Sequence, residues 1–208
     1  MDSGKTIRVP GSWAVAERAF LGEGGTLHTG QALALGIHPR TLYAMRDAGV
    51  LRPLSRGVYR LATLPELSEP DLATAATRIP GGIICMISAL TFHGITTQVP
   101  HVVDVAVPRG TRQPRLDYPP VRLFRFTGKA LTSGVETHLL DGIHVRIYSI
   151  SKTIADCFKL RNRIGLDLCI EALRNWRQSR SGTVDELLYY ARVCRVETLI
   201  SRYLEAIL

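Results

Sequence analysis

Apolar positions recur at helical spacing from the start of the chain. Trp13, Ala16, Phe20 and Leu21 mark one face of a predicted helix capped by Ser12, and Gly22, Gly24 and Gly25 end it. Ala32, Leu33 and Leu35 mark a short second helix. After Gly36-Ile37-His38, Pro39 opens a third, at a first-turn position that needs no amide partner. Leu42 and Met45 are three apart and share its inner face. Arg40, Tyr43 and Asp47 point elsewhere, with Arg46 beside that face, and Gly49 ends the helix. The period then shortens. Residues 50–54 and 58–61 predict two strands around the turn Ser55-Arg56-Gly57. Helix, turn, helix, hairpin is the order of a winged helix-turn-helix, predicted over residues 12–64.

Residues 63–70 hold Pro65, Pro70 and two acids, the composition of a linker. A helical pattern over 71–79 closes at Pro80-Gly81-Gly82 and could belong to either side. Beyond it lie a continuous apolar run over 83–87 and a short helix over 88–94. Strands follow over 102–107 and 121–126, then a hairpin over 139–150 turning at Asp141-Gly142. In that hairpin His144, Arg146 and Tyr148 share one face, Val145 and Ile147 the other. Helical patterns then dominate: 151–161, with Ser151 as cap and Lys152 solvated; 166–178; one opened by the capping box Thr183-Val184-Asp185-Glu186; and 197–208. Strands followed by helices argue against a doubly wound sheet. The predicted fold class is α+β: an N-terminal winged helix-turn-helix, then a mixed domain over 71–208 with a small sheet and C-terminal helices.

Charge changes the picture more than size does. The 208 residues are 46% hydrophobic and 21% charged, which suits a folded core, and the net charge of +8 calls for an anionic partner. Residues 1–11 read as a loose leader without the apolar core of a signal peptide, and no run is long enough to span a bilayer, so a cytoplasmic location is expected. The four cysteines, Cys85, Cys157, Cys169 and Cys194, form no C-x-x-C pair and read as buried free thiols rather than zinc ligands.

The winged segment concentrates Arg40, Arg46, Arg52, Arg56 and Arg60 against one acid, Asp47. A helix fits the major groove and a wing lies near phosphates. Arg40, Thr41, Tyr43 and Arg46 are therefore the expected DNA-reading residues, with Arg52 and Arg56 holding the backbone. A protein-binding helical module with merely solvating arginines is the bland alternative. A second basic run, Arg109, Arg112, Arg115, Arg122, Arg125 and Lys129, is opposed in sequence only by Asp117. It reads either as a second nucleic-acid surface or as an ordinary solvated face.

Catalytic chemistry finds little support. Lys152-Thr153 lacks the glycines of a phosphate loop, and Asp156 pairs with Lys152 at i, i+4 instead. His93, His101, His138 and His144 have no metal-ligand spacing on one helix. A winged-helix nuclease would need paired acids and a lysine around the strand of Asp104, and no Glu-x-Lys appears on a later strand. No catalytic residue, metal or cofactor is expected.

In order along the chain stand GIHPRTLYAMRDAGVLRPLSRGVYRL, GGIICMISALTFHGI, VVDVAVPRGTR and LLDGIHVRIYSISKTIADCF. Together they resemble the antitoxins of abortive-infection system E, in the type IV toxin–antitoxin class, over roughly residues 26–176. The most specific pieces are Ser55-Arg56-Gly57-Val58-Tyr59 and the junction from Tyr148-Ser149 to Lys152-Thr153 and Ala155-Asp156. The resemblance implies a winged helix that binds inverted repeats at its own promoter. It also implies a second domain that counteracts a nucleotidyltransferase-like toxin without needing a stable complex, and no catalytic motif. The competing readings are a winged-helix transcription factor with a ligand-sensing second domain and a winged-helix nuclease.

Overall fold

The computed structural model describes residues 10–114, 116 and 118–207. Most of the loose leader predicted at the N-terminus, and Arg115 of the second basic run, lie outside the described residues.

The first unit contains α1 (Gly11–Gly22), β1 (Thr26–His28), α2 (Thr29–Ala34), α3 (Pro39–Asp47), β2 (Leu51–Ser55) and β3 (Val58–Leu61). Its antiparallel sheet has the order β1-β3-β2. Ala16, Phe20, Leu27, Ala32, Leu42, Met45, Leu51 and Leu61 close one core between helices and sheet. The α3 ends are set locally. Pro39 occupies the first turn, the His38 ring accepts from the Arg40 amide at 3.2 Å, and Gly49 takes φ +75° just past the last turn. Two details differ from expectation. Ser12 lies inside α1, which begins after Pro10 without a side-chain cap, and Leu21 is exposed rather than inward. β1 was not predicted: three residues are too few to show a period, and the strand exists because β3 offers it an edge.

In the second unit a five-stranded sheet runs β6-β5-β4-β8-β7. The strands are β4 (Ile83–Ile84), β5 (Val103–Pro108), β6 (Val121–Phe126), β7 (Val135–Leu140) and β8 (Ile143–Tyr148). The pairs β5·β6 and β4·β8 are parallel, and β4·β5 and β7·β8 antiparallel. Helix α4 (Pro70–Arg78) lays Leu72 and Ala75 on one sheet face, against Val105, Val145 and Ile147. On the other face lie α5 (Met86–Phe92), α7 (Ile150–Lys159), α9 (Leu166–Ser179), α10 (Val184–Cys194) and α11 (Glu197–Ile207), packed around Phe124, Tyr148, Phe158 and Trp176. Short α6 (Lys129–Thr132) and α8 (Arg161–Ile164) complete this layer. Cover on both faces explains why β5 is apolar almost throughout rather than alternating. The hairpin turns as predicted, with Asp141 at φ +50° and Gly142 at φ +83°, the left-handed pair a tight turn demands.

Helix α7 corrects two expectations. Its cap is Ser149, whose Oγ accepts from the Lys152 amide, and Ser151 lies in the first turn. Lys152 is not solvated. It is fully buried, hydrogen-bonded through Nζ to the equally buried Asp156, and its Nζ lies 4.0 Å from the centroid of the Tyr148 ring. Cys194 Sγ donates to the other Asp156 oxygen at 3.0 Å. Burial pushes the Asp156 carboxyl up while Lys152 pulls it down, and the net direction is up.

The two units meet at the Asp141-Gly142 turn. Arg60 is 3% exposed. It donates through Nη1 to the Asp141 carbonyl at 2.8 Å and to Thr26 Oγ1 at 3.0 Å, and through Nη2 to the Pro65 carbonyl at 3.3 Å. Ser68 donates its amide and hydroxyl to Asp141 Oδ2, each at 2.8 Å. Gly24 and Gly142 approach so closely that a Cβ on Gly24 would stand 2.8 Å from the Gly142 Cα. The 63–70 stretch is therefore fastened at Ser68, and α4 also touches the wing through Ser55 and Thr77.

Candidate nucleic-acid interface

The outer face of α3 is built by the inner one. Leu42 and Met45 are fully buried, and this rotates Arg40, Tyr43 and Arg46 outward, with Thr41 half-buried beside them. Arg40 and Arg56 are exposed and make no ion pair among the described residues. Arg40 stands in the first turn of α3 and Arg56 at the wing tip, the two ends of the surface. Between them the charge is partly engaged. Arg46 lies 5.1 Å from the Tyr43 ring centroid and is hydrogen-bonded to Asp47 at 2.8 Å. Arg52 sits 3.7 Å from Glu66. Arg60, counted in sequence among the wing cations, faces the other way and is consumed by the unit interface.

The arrangement can present two free guanidinium groups, an aromatic hydroxyl and a helix to a polyanion. Of the residues expected to read DNA, Arg40, Tyr43 and Arg46 are exposed on α3 with Thr41 half-buried, and Arg56 is exposed at the wing tip; Arg52 is the cross-strand partner of Arg60, on that face of the hairpin, against Glu66.

The second basic run does not form one surface. Arg122 reaches across to the neighbouring strand and forks onto Asp104, with bonds of 2.7 and 2.9 Å. Asp117, the counter-charge that sequence proximity offered, lies outside the described residues; strand pairing brings Asp104 to Arg122. Arg125 donates to the Thr111 carbonyl at 3.1 Å, and among the described residues of the run Arg109, Arg112 and Lys129 stay exposed without such an engagement. Asp104 is fully buried. Desolvation pushes its carboxyl up, against the pull of Arg122. That pair is an architectural tie between β5 and β6.

No group of His, Cys, Asp and Glu able to hold a metal occurs among the described residues. All four cysteines are free and buried, and burial pushes the Cys169 and Cys194 thiols up to about 12. His93 donates from Nε2 to the Tyr148 carbonyl at 2.8 Å, and its ring packs edge-on against Phe92. Desolvation lowers its pKa below the usual value. Stability linked to His93 is therefore complete above about pH 6.5, and drains away as pH falls, since only the unfolded chain readily takes up the proton. His93→Gln keeps an N–H for the carbonyl and should flatten that decline. Urea midpoints between pH 7 and 5 measure it, and an undiminished slope would assign the effect elsewhere.

Residues 16–62 match the model of a family described as transcriptional regulators, AbiEi antitoxin. Most of the fold resembles the crystal structure of RV2827C protein from Mycobacterium tuberculosis. The TM-score is 0.51 at 14% identity, over 85% of this chain and 71% of that one. No curated protein matches the chain. No helix among the described residues is long and apolar enough to cross a membrane.

Proposed function

We propose, from the premise that residues 16–62 match the family model of the AbiEi antitoxin transcriptional regulators, that this chain represses its own operon and neutralises a nucleotidyltransferase-like toxin. In this reading residues 12–64 bind double-stranded operator DNA, with inverted repeats as the target. Residues 71–208 form the antitoxin unit, which acts in the cytoplasm without catalysis and without a stable toxin complex. The observation that carries the DNA reading is the outward face of α3 with the exposed Arg40 in its first turn, together with the exposed Arg56 at the tip of the β2–β3 wing, neither in an ion pair among the described residues. Cations so placed release counterions from a duplex, and the first turn of α3 is where base edges come within reach.

The two arginines should behave differently. Arg56→Ala should weaken operator and random DNA by similar factors and flatten the salt dependence by about one unit of slope. Arg40→Ala should cost operator binding more than random binding, by roughly 1–3 kcal/mol of discrimination. Titrations of both duplexes against salt read both effects. An equal loss on both duplexes for Arg40→Ala would put the wrong helix face in the groove. Rescue of growth on co-expression with the neighbouring toxin gene tests the antitoxin half: no rescue by the full chain would remove it.

A further inference from the structure

On the helical side of the five-stranded sheet, two adjoining concavities open between α6, the α7–α8 junction and the start of α11. Their volumes are about 660 Å³ and about 450 Å³. Lys129, Lys159, Arg161 and Arg195 line the larger, and Arg161, Arg192 and Arg195 the smaller. Arg161, Arg195 and Val196 form the ridge shared by both. The only acid in either lining is Glu197, which already faces Arg192 at 3.4 Å. The first turn of α11 lies in the smaller lobe and adds the positive end of a helix dipole. No residue of the winged helix lines either lobe.

We infer that this two-lobed groove binds a single-stranded phosphodiester backbone, at a site separate from the operator face. Excess positive charge spread over two adjoining concavities suits a flexible polyanion, whose successive phosphates can each turn toward a cation, better than a rigid duplex. Neither lining contains Phe, Tyr or Trp. The platforms on which bases stack are missing, so recognition runs through phosphates and is indifferent to sequence. Homopolymers are therefore adequate probes. The backbone of Arg195 supports a designed change. Arg195 follows α10 in the left-handed conformation, φ +61°, where glycine is the more comfortable residue. Replacing it removes the cation and relieves the backbone.

The test is fluorescence anisotropy of labelled U20 and dT20 with the full chain, across a salt series. Lys159→Ser with Arg195→Gly should lower the salt slope for the single strands by about 1.4 and their affinity by roughly 25-fold at 0.1 M salt. Random duplex binding should stay within about twofold. Arg40→Ala with Arg56→Ala should do the reverse. Lys129→Ser alone, at an exposed position, should lower the strand slope by about 0.7 and serves as the second variant. Equal binding of U20 and dT20 supports contact through phosphate alone, and a preference for U20 supports added contact with the 2′-hydroxyl. Strand binding unchanged by the groove variants would overturn the inference. So would displacement of the strand by micromolar nucleoside triphosphate, which would assign the lobes to a small anion.

Discussion

Lys152→Met should destabilise the fold by about 3–5 kcal/mol, the usual cost of stranding one member of a buried ion pair. The side chains are similar in length, so the loss is electrostatic rather than volumetric. With Nζ gone, Asp156 keeps only the weak thiol donor of Cys194 in a fully buried position. It must either take up a proton or remain an uncompensated charge. The double variant Lys152→Met with Asp156→Leu removes both problems and should recover most of the loss, since apolar replacement of a buried pair is often neutral or better. Urea unfolding reads both variants, through the midpoint at constant slope. A single variant costing under about 1 kcal/mol, or a double variant as unstable as the single, would show that the pair is not what holds α7 in place.

The second large effect is expected at the unit interface. Arg60→Leu deletes donors to the Asp141 carbonyl, Thr26 Oγ1 and the Pro65 carbonyl, and leaves the Asp141 carbonyl with only the Thr26 hydroxyl, which donates to it at 2.9 Å. Lost bonds of this kind cost about 1 kcal/mol each; the bond to Thr26 lies within the winged helix, while those to Asp141 and Pro65 tie it to the second unit and the linker, so the docking should weaken by about 2 kcal/mol. The winged helix keeps its own core around Phe20, Leu42 and Met45, and it should stay folded and keep the DNA binding proposed for it. Thermal unfolding should split into two transitions, and amide exchange should rise around residues 24–28 and 63–68. A single transition shifted by less than the equivalent of about 1 kcal/mol would mean that the interface does not depend on Arg60.

Lys152 and Arg60 also mark the limit of what the sequence made legible. Features written within one turn or one hairpin were readable: Pro39 and Gly49 bounding α3, the Thr183 cap of α10, and the Asp141-Gly142 turn. Leu42 and Met45 were correctly placed inside because the core they join is local. Arg60 was misplaced because all four β3 residues are buried. The helices cover one face of that strand and the second unit the other, which erases the alternation that would have set Arg60 apart. Lys152 was misplaced because its charge argued for solvent, while the residues that enclose it lie on other elements: Phe126, Gly134 and Tyr148. Arg122 shows the same failure in milder form, since its partner comes from strand register and not from spacing. The outward face of α3 was legible in full, being the complement of a local core.

The Gly24–Gly142 contact has a bearing on modularity. A winged helix is often treated as a cassette, to be cut at its linker and fused to a new effector. Here the cut surface would include a buried guanidinium shaped to one particular hairpin turn, and a backbone approach that tolerates no side chain on either partner. Transplanting residues 12–64 alone would carry off half of a lock, exposing Arg60 and the apolar side of Leu54. A working graft would have to bring the Asp141-Gly142 hairpin with it or remake both surfaces together. Lineages that exchanged the winged helix would face the same constraint: a change on one side of the lock must be matched on the other, some eighty residues away in the chain.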